Sequence, residues 1–203
     1  MKTIKLLIII LTFFSFILLN NFCTKDESEV NLDTTIFIED QYNAGLPKYS
    51  EKGYNSFGVY IGREPFVSNQ KDIPLTISVK DENMIFRFKG TYQNNPKVLE
   101  FTFNGFSPKS YVDLDFLNGK EFNLAKPNVT IKTSLFGSDE QTITIRNGTF
   151  IINKVQKLYV DKEYQKTILS GEFQFQLIIE NEPTAIHKGR FDICVGYENF
   201  FLL

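Results

Sequence analysis

Residues 169–179 have the sequence LSGEFQFQLII, in which apolar and polar side chains alternate. In an extended chain Phe173 and Phe175 fall on one face, and Glu172 and Gln174 fall on the other. Successive side chains of a β-strand point to opposite faces, so a period-two pattern of this length predicts a strand with one buried face. We therefore expect a half-buried strand here that contributes one side of a hydrophobic core.

The same period-two alternation recurs along most of the chain after residue 34. The expected core-facing residues of the other runs are Leu75, Ile77 and Val79; Met84, Phe86 and Phe88; Leu99, Phe101 and Phe103; Val129, Ile131, Thr133 and Leu135; Ile143 and Ile145; Phe150 and Ile152; and Phe191, Ile193, Val195 and Tyr197. The segment Gln93-Asn94-Asn95-Pro96 has turn composition and predicts an antiparallel hairpin from Met84 to Asn104. Asn147-Gly148 predicts a tight turn or a bulge, and residues 182–188 predict a turn before the last strand.

The spacing of these runs predicts the fold class. Short strands separated by glycine, asparagine, aspartate and proline are typical of antiparallel sheets, and no long window after the leader has a capped helical stripe. We expect an all-β fold: a single antiparallel β-sandwich or a partly open, meander-like β-barrel over residues 34–203. One short helix or turn is expected around residues 107–117. The 21 phenylalanines and 9 tyrosines supply large apolar groups for the core.

The chain begins with MKTIKLLIIILTFFSFILLNNFC, residues 1–23. Its uncharged apolar run from Leu6 to Leu19 is about 14 residues long, which fits a signal-peptide core and is shorter than the roughly 20 residues that span a bilayer. We predict a lipoprotein signal peptide over residues 1–22 and lipidation of Cys23. Each buried acyl methylene contributes about 0.8 kcal/mol, so two or more chains would hold the protein on a membrane. An uncleaved signal anchor with an incidental cysteine is the alternative.

The residues after the leader indicate a cellular location and a flexible tether. Cys23-Thr24-Lys25-Asp26-Glu27 resembles the lysine and acidic tag of Bacteroidota lipoproteins. The resemblance implies export to the outer membrane, on its periplasmic face or at the cell surface. Phe22 departs from this pattern, because a small residue usually precedes the cysteine. Residues 23–33 are polar and acidic and predict a flexible tether. Asp33-Thr34-Thr35 resembles the O-glycosylation acceptor of the same bacteria, which makes Thr34 a candidate site. A chance match of three residues is the alternative.

Charge and cysteine content exclude some functions. Without residues 1–22 the chain carries 20 basic and 24 acidic side chains, a formal charge of −4. No basic patch of the kind that binds nucleic acid remains, so we expect no nucleic-acid partner. Cys194 is the only cysteine after Cys23, so one mature chain has no disulfide framework. A body of about 180 residues can instead bury a core as a single domain.

Three sequence blocks carry a family resemblance. Tyr54–Gly62 (YNSFGVYIG) resembles an N-T-F-G-x-x-V-N-G entry, Leu169–Phe175 (LSGEFQF) resembles S-G-T-F-E-F, and Lys188–Ile193 (KGRFDI) with Tyr197 resembles a closing G-R-F-D-V-x-Y. These blocks, in this order, are those of a family of small Bacteroidota lipoproteins of unknown function. The resemblance covers most of the chain after the leader and implies an envelope β domain. It implies no catalytic residues, because the family has no assigned activity.

Candidates for chemistry are few. His187 is the single histidine, in a predicted turn, and a zinc site would need further ligands that Cys194 alone does not supply. Asp113 and Asp115 would share a strand face, but two such acids more often lie on a solvated edge than in a glycosidase or calcium site. Asp139-Glu140 is an acidic turn. We therefore expect no catalytic, cofactor-binding or metal site, and no enzyme.

Arg190 and Asp192 are two residues apart, on the strand face opposite Phe191 and Ile193. A charged pair there would join the last strand to a neighbour and specify its register. If exposed, such a pair contributes only about 0 to 1 kcal/mol. We expect a structural role for both residues; ligand binding is the alternative.

Three hypotheses of function follow. The first is a lipid-anchored, non-catalytic binding or accessory module of the cell envelope, whose partners are the membrane, through its anchor, and an unidentified envelope protein or ligand. The second is a lipocalin-like carrier that encloses an apolar ligand among its phenylalanines. The third is a carbohydrate-binding or carbohydrate-active protein. The absence of tryptophan counts against it, and exposed Tyr54, Tyr92 or Tyr111 would have to stack on the sugar. We favour the first.

Overall fold

The computed structural model describes residues 34–69, 71–179 and 182–203. The predicted signal peptide over residues 1–22, the lipidation site Cys23 and the tether over residues 23–33 lie outside the described residues. Among the helices of the described part, none has the length and apolar character needed to cross a membrane.

The described chain is nearly all strand. Its elements are β1 (Glu39–Asp40), β2 (Asn43–Pro47), β3 (Ser56–Ile61), β4 (Glu64–Val67), β5 (Leu75–Lys80), β6 (Asn83–Tyr92), β7 (Asn95–Asn104), a 3₁₀ helix (Tyr111–Leu117), β8 (Glu121–Asn123), β9 (Val129–Thr133), β10 (Gln141–Ile143), β11 (Ile145–Val160), β12 (Glu163–Ile179), β13 (Glu182–Val195) and β14 (Phe200–Leu202). The all-β prediction is confirmed, as is the single short helix near residues 107–117.

Twelve of these strands form one sheet. Its order is β10-β9-β7-β6-β4-β3-β13-β12-β11-β8, and β5 pairs with both β6 and β14. The β5–β14 pair is parallel and the other pairs are antiparallel. The sheet curls into a half-barrel, in agreement with the predicted sandwich or partly open barrel. Strands β1 and β2 form a separate two-stranded sheet.

The curled sheet packs its apolar face against itself through phenylalanine rings. Phe150 of β11 lies with its ring centroid 4.9 Å from Phe101 and 5.3 Å from Phe103, both in β7. It also lies 5.6 Å from Phe86 of β6 and 5.8 Å from Phe173 of β12. Strands far apart in the sheet order therefore meet in one core, and the opposite face of the sheet is left for polar side chains.

The clearest sequence patterns formed the expected elements. Met84 pairs with Phe103 across the β6–β7 hairpin, whose two-residue turn places Gln93 and Asn94 at φ of 49° and 63°. Both values suit the mirror-image turns that match strand twist. Register shifts between Ile145 and Asn147, so a bulge lies just before Asn147-Gly148, and these two residues continue in β11 instead of making a tight turn.

Two local predictions are wrong. Residues 182–188 belong to strand β13, not to a turn, because they pair with β12 on one side and β3 on the other. Asp113 and Asp115 lie in the 3₁₀ helix, not on a strand; the Ser110 hydroxyl caps this helix by accepting a hydrogen bond from Val112 N. Alternation of apolar and polar residues over a short segment fits a 3₁₀ turn as well as a strand.

Candidate binding surface

Four tyrosines meet at the end of the sheet where the 3₁₀ helix lies. The ring of Tyr111 stacks on Tyr164, with centroids 5.8 Å apart and planes 13° apart. Tyr197 meets Tyr111 edge-on at 5.0 Å, and Tyr159 meets Tyr164 edge-on at 5.7 Å. We call these four residues the tyrosine cluster.

Each member of the tyrosine cluster is held by local structure. Tyr159 and Tyr164 face each other across the β11–β12 hairpin. The Tyr164 hydroxyl shares a hydrogen bond with the Thr167 hydroxyl, and Thr167 Oγ1 is 2.6 Å from the Tyr111 carbonyl oxygen, which accepts from it. Hydrogen bonds thus tie the hairpin to the start of the 3₁₀ helix, so the two elements present one connected surface.

The cluster has a buried base and an exposed top. Tyr111 is only 5% exposed, whereas Tyr159 and Tyr197 are 57% and 84% exposed. Val112 and Phe116 of the 3₁₀ helix also expose large apolar side chains. Single exposed apolar residues are ordinary, but a contiguous set on supporting structure is typical of a binding surface. Tyrosine combines a large apolar ring with a polar hydroxyl. This suits a surface that is exposed to water in the free protein and buried when a partner binds.

The rim of this surface is charged and internally paired. Lys157 Nζ lies 2.7 Å from Asp115 Oδ2, and Lys166 pairs with Glu198. Burial and the neighbouring Tyr197 hydroxyl raise the pKa of Tyr111 to about 12, so its phenol stays neutral well into the alkaline range. A neutral aromatic centre with a polar rim is the anatomy of protein–protein interfaces.

The two candidate acids in the 3₁₀ helix do not converge. The Asp113 carboxylate accepts hydrogen bonds from Lys109 N at 3.1 Å and Ser110 Oγ at 3.2 Å, which closes the turn before the helix. Asp115 instead pairs with Lys157, as described above. Their roles are local, and they do not form the paired carboxylates of a hydrolase.

His187 and Cys194 are likewise separate. His187 is half-buried in β13; its Nε2 donates to the Gly62 carbonyl oxygen at 2.8 Å, and its ring lies 5.5 Å from Tyr60. Its predicted place in a turn is wrong. Cys194 is buried, and its Sγ lies 3.3 Å from the Gly53 carbonyl oxygen. Within residues 34–69, 71–179 and 182–203, no three His, Cys, Asp or Glu side chains are grouped to hold a metal ion.

Arg190 and Asp192 do lie on the face opposite the core, but they are buried and do not pair with each other. Arg190 NH1 lies 2.5 Å from Asp40 Oδ2, and Asp192 accepts hydrogen bonds from Ser170 Oγ and the segment around Gly53. The expected exposed pair is therefore wrong in its partners and its burial.

The remaining candidates lie on the surface. An ion pair between Glu140 and Arg87 holds the acidic turn at Asp139-Glu140 in place. Thr34 is exposed at the start of the described residues, and its carbonyl oxygen accepts from Asn55 Nδ2 at 3.2 Å.

Sequence reasoning placed the exposed tyrosines wrongly. Tyr197 was expected on the core face of the last strand, but β13 ends at Val195 and the Tyr197 ring points to solvent. Tyr54 and Tyr92, which the carbohydrate hypothesis would need to be exposed, are half-buried, and Tyr111 is buried. Period two alone cannot mark where a strand ends. The Gly196 that follows β13 is the one local signal against continued alternation.

Comparison of the chain with protein-family models, with curated proteins and with solved structures gave no match.

Proposed function

We propose that this chain is a lipid-anchored, non-catalytic binding module of the cell envelope and that the tyrosine cluster contacts its protein partner. The observation that carries the proposal is the exposure of Tyr159 and Tyr197 above the buried, hydrogen-bonded Tyr111. Tyrosines in such settings supply much of the binding energy at protein interfaces. They also lose little conformational entropy on binding, because only two side-chain torsions must be fixed.

The paired rim supports a protein partner over a small charged one. Asp115, Lys157, Lys166 and Glu198 already satisfy one another, so the surface offers little net charge to an ion. Such rim pairs add specificity and water exclusion more than affinity. An extended surface centred on aromatic rings fits a folded partner of the envelope.

The proposed lipid anchor is supported by the leader, by Cys23 with the lysine and acidic residues that follow it, and by the family resemblance. It places the protein at the outer membrane, on the periplasmic face or the cell surface. Metabolic labelling of cells with a fatty-acid analogue tests it, with Cys194→Ala as the matched control. We expect label in the wild type and in Cys194→Ala, and none in Cys23→Ala. Equal label in all three would exclude an anchor at Cys23.

The carrier hypothesis is less well supported by the described core. Phe101, Phe103 and Phe150 pack on one another with centroids 4.9 to 6.4 Å apart, so these rings occupy the interior themselves. A carrier would instead line a space with such rings. Saturable binding of a fatty acid by the purified protein would favour the carrier over our proposal.

Site-specific crosslinking tests the tyrosine cluster. A photoreactive phenylalanine analogue is placed at position 197 in the full chain and irradiated on intact cells. The matched control carries the analogue at position 42, because Tyr42 is 85% exposed but lies in the turn between β1 and β2.

We expect a discrete crosslinked envelope protein from position 197 that is absent from position 42. Adding Tyr159→Ser should weaken this crosslink several-fold, because it removes a second exposed ring from the same surface. Identical crosslinking patterns from the two positions would contradict the proposal.

A further inference from the structure

A polar trough crosses the outer face of β11, β12 and β13, on the side of the sheet opposite the phenylalanine core. It consists of two adjoining grooves with volumes of about 330 and 380 Å³. Both grooves are lined by Thr149, Gln174 and His187, so they form one continuous depression. Each volume lies within the size range of small-molecule sites.

A bulge in β13, opposite Gln174 of β12, opens the trough. Phe173 pairs with Gly189 but Phe175 pairs with Ile186, so Gln174 lies opposite two residues of β13. One of these, Lys188, has a left-handed backbone with φ of 58°. Bulges redirect side chains and are common next to functional sites. Here the bulge sets the Gln174 side chain in the middle of the trough.

The side chains of the trough both donate and accept hydrogen bonds. Asn147 Nδ2 donates to Gln176 Oε1 at 3.2 Å, which holds two amides in a row along the sheet. Since His187 Nε2 donates to Gly62 O, its Nδ1 is left as an acceptor. Across the described residues, no hydrogen bond joins the Gln174 side chain to another protein group, which leaves its amide available to a ligand.

We infer that this trough binds a neutral oligosaccharide. Each sugar hydroxyl donates and accepts, which matches a row of amides, a threonine hydroxyl and an imidazole. The trough offers one carboxylate, Glu172, and one ammonium, Lys188, and therefore no net charge for an ion. The His187 imidazole, whose ring is tilted against Tyr60 of β3, gives the trough one aromatic side chain beside the amides.

Two other ligand classes fit less well. An extended peptide binds most readily by adding a strand to a free sheet edge. Here β12, in the middle of the trough, is paired on both sides, by β11 and by β13, so this strand offers no such edge. An apolar ligand would cover the Gln174 amide and leave it without a hydrogen-bond partner, which costs binding energy.

The test uses the full chain purified in detergent and an array of immobilised neutral and acidic glycans, followed by calorimetry with the best-bound glycan. We expect saturable binding to at least one neutral oligosaccharide. Gln174→Ala should weaken it about tenfold, the effect of losing one or two good hydrogen bonds. Gln165→Ala is the matched control, because Gln165 is an exposed glutamine of the same strand outside the trough; this variant should bind as the wild type does.

Binding to no glycan, preference for acidic glycans, or equal affinity in Gln174→Ala and the wild type would overturn the inference. Urea unfolding of both glutamine variants checks that each is folded. The trough and the tyrosine cluster share no residue, so the two proposals fail separately. Tyr197→Ser should leave glycan affinity unchanged, and Gln174→Ala should leave the crosslink from position 197 unchanged.

Discussion

Asp192 is a buried carboxylate, 1% exposed, near the end of β13. Its oxygens accept hydrogen bonds from the backbone N–H groups of residues 52–54, at 2.8 to 3.1 Å, and from the hydroxyls of Ser50 and Ser170. A buried charge is tolerated when hydrogen bonds replace its lost hydration. This carboxylate therefore fixes a loop near the start of the domain to a strand near its end.

Replacing this carboxylate should destabilise the fold strongly. In Asp192→Asn one oxygen becomes an NH₂ group that cannot accept from the N–H donors of residues 52–54. We expect a loss of about 3 kcal/mol in the free energy of unfolding, typical of hydrogen bonds to a charged group. Urea denaturation measures it, with Asp139→Asn as the exposed control, expected to change stability by about 0.5 kcal/mol or less. Equal losses in the two variants would show that the hydrogen bonds to Asp192 contribute little.

Asp40 lies opposite Arg190 at the β1–β2 hairpin. Hydrogen bonds from the Tyr42 backbone N–H and the Asn43 amide, together with Arg190, lower the pKa of Asp40 to about 2. The unfolded chain has the ordinary aspartate pKa of about 3.9. Because the folded pKa is the lower one, the ionised carboxylate stabilises the fold above pH 4, and this contribution is lost as the pH falls toward 2.

This linkage predicts a specific pH dependence. Asp40→Asn should be less stable than the wild type at pH 7, and the difference should shrink steadily between about pH 5 and pH 2. Urea unfolding midpoints at several pH values measure both curves. A difference that stays constant over this range would mean that Asp40 titrates alike in the folded and unfolded states.

Sequence pattern predicted the face of Arg190 and Asp192 but not their partners. Alternation with Phe191 and Ile193 is local information, and it placed both charges opposite the core correctly. Their partners, Asp40 and residues 50–54, lie about 140 to 150 residues away along the chain. No spacing rule within a strand reports which distant loop covers its outer face, so burial of these charges was not predictable.

At the scale of elements, a strand or hairpin was predictable where its residue alternation and its turn residues indicate the same structure. The β6–β7 hairpin was predictable because its alternation and its turn residues agree. The first half of β13 was not, because Pro183 and polar neighbours favour a turn, and only pairing with β12 and β3 makes the segment a strand. The tyrosine cluster was not predictable for a similar reason. Its members, from Tyr111 to Tyr197, are far apart in the sequence and meet only in the folded structure.

Strand β12 also depends on a close approach at Gly171. A Cβ at this position would meet the Ile151 carbonyl oxygen of β11 and, at 2.5 Å, Phe191 Cζ of β13. Backbone of a paired strand cannot move aside without breaking the ladder, so only glycine fits without strain. Gly171 therefore allows β12 to pack closely against both β11 and β13.

Gly171→Ala should therefore destabilise the domain by about 2 kcal/mol, within the usual range for overpacking a core. The control is Gly137→Ala, because a Cβ there has its nearest neighbour at 4.0 Å. Thermal unfolding followed by circular dichroism measures both. If Gly171→Ala melts at the temperature of the control, the strands can separate at little cost.

The whole molecule depends on contact between distant parts of one sheet. Phe150 of β11 contacts rings of β6, β7, β12 and β13, so it joins strands that are not neighbours in the sheet order. Hydrogen bonds hold neighbouring strands together, and side-chain packing holds the two sides of the curled sheet against each other.

Phe150→Ala tests this contact, because it removes a fully buried ring and leaves a cavity among the other phenylalanines. We expect a loss of about 4 kcal/mol, the usual cost of a core phenylalanine-to-alanine change. Phe201→Ala is the control, since Phe201 is 42% exposed on β14, and it should cost about 1 kcal/mol or less. Urea unfolding with two probes, tyrosine fluorescence and circular dichroism, measures the loss. Because one core serves the whole domain, both probes should shift together; separate transitions would show that the two sides of the sheet unfold independently.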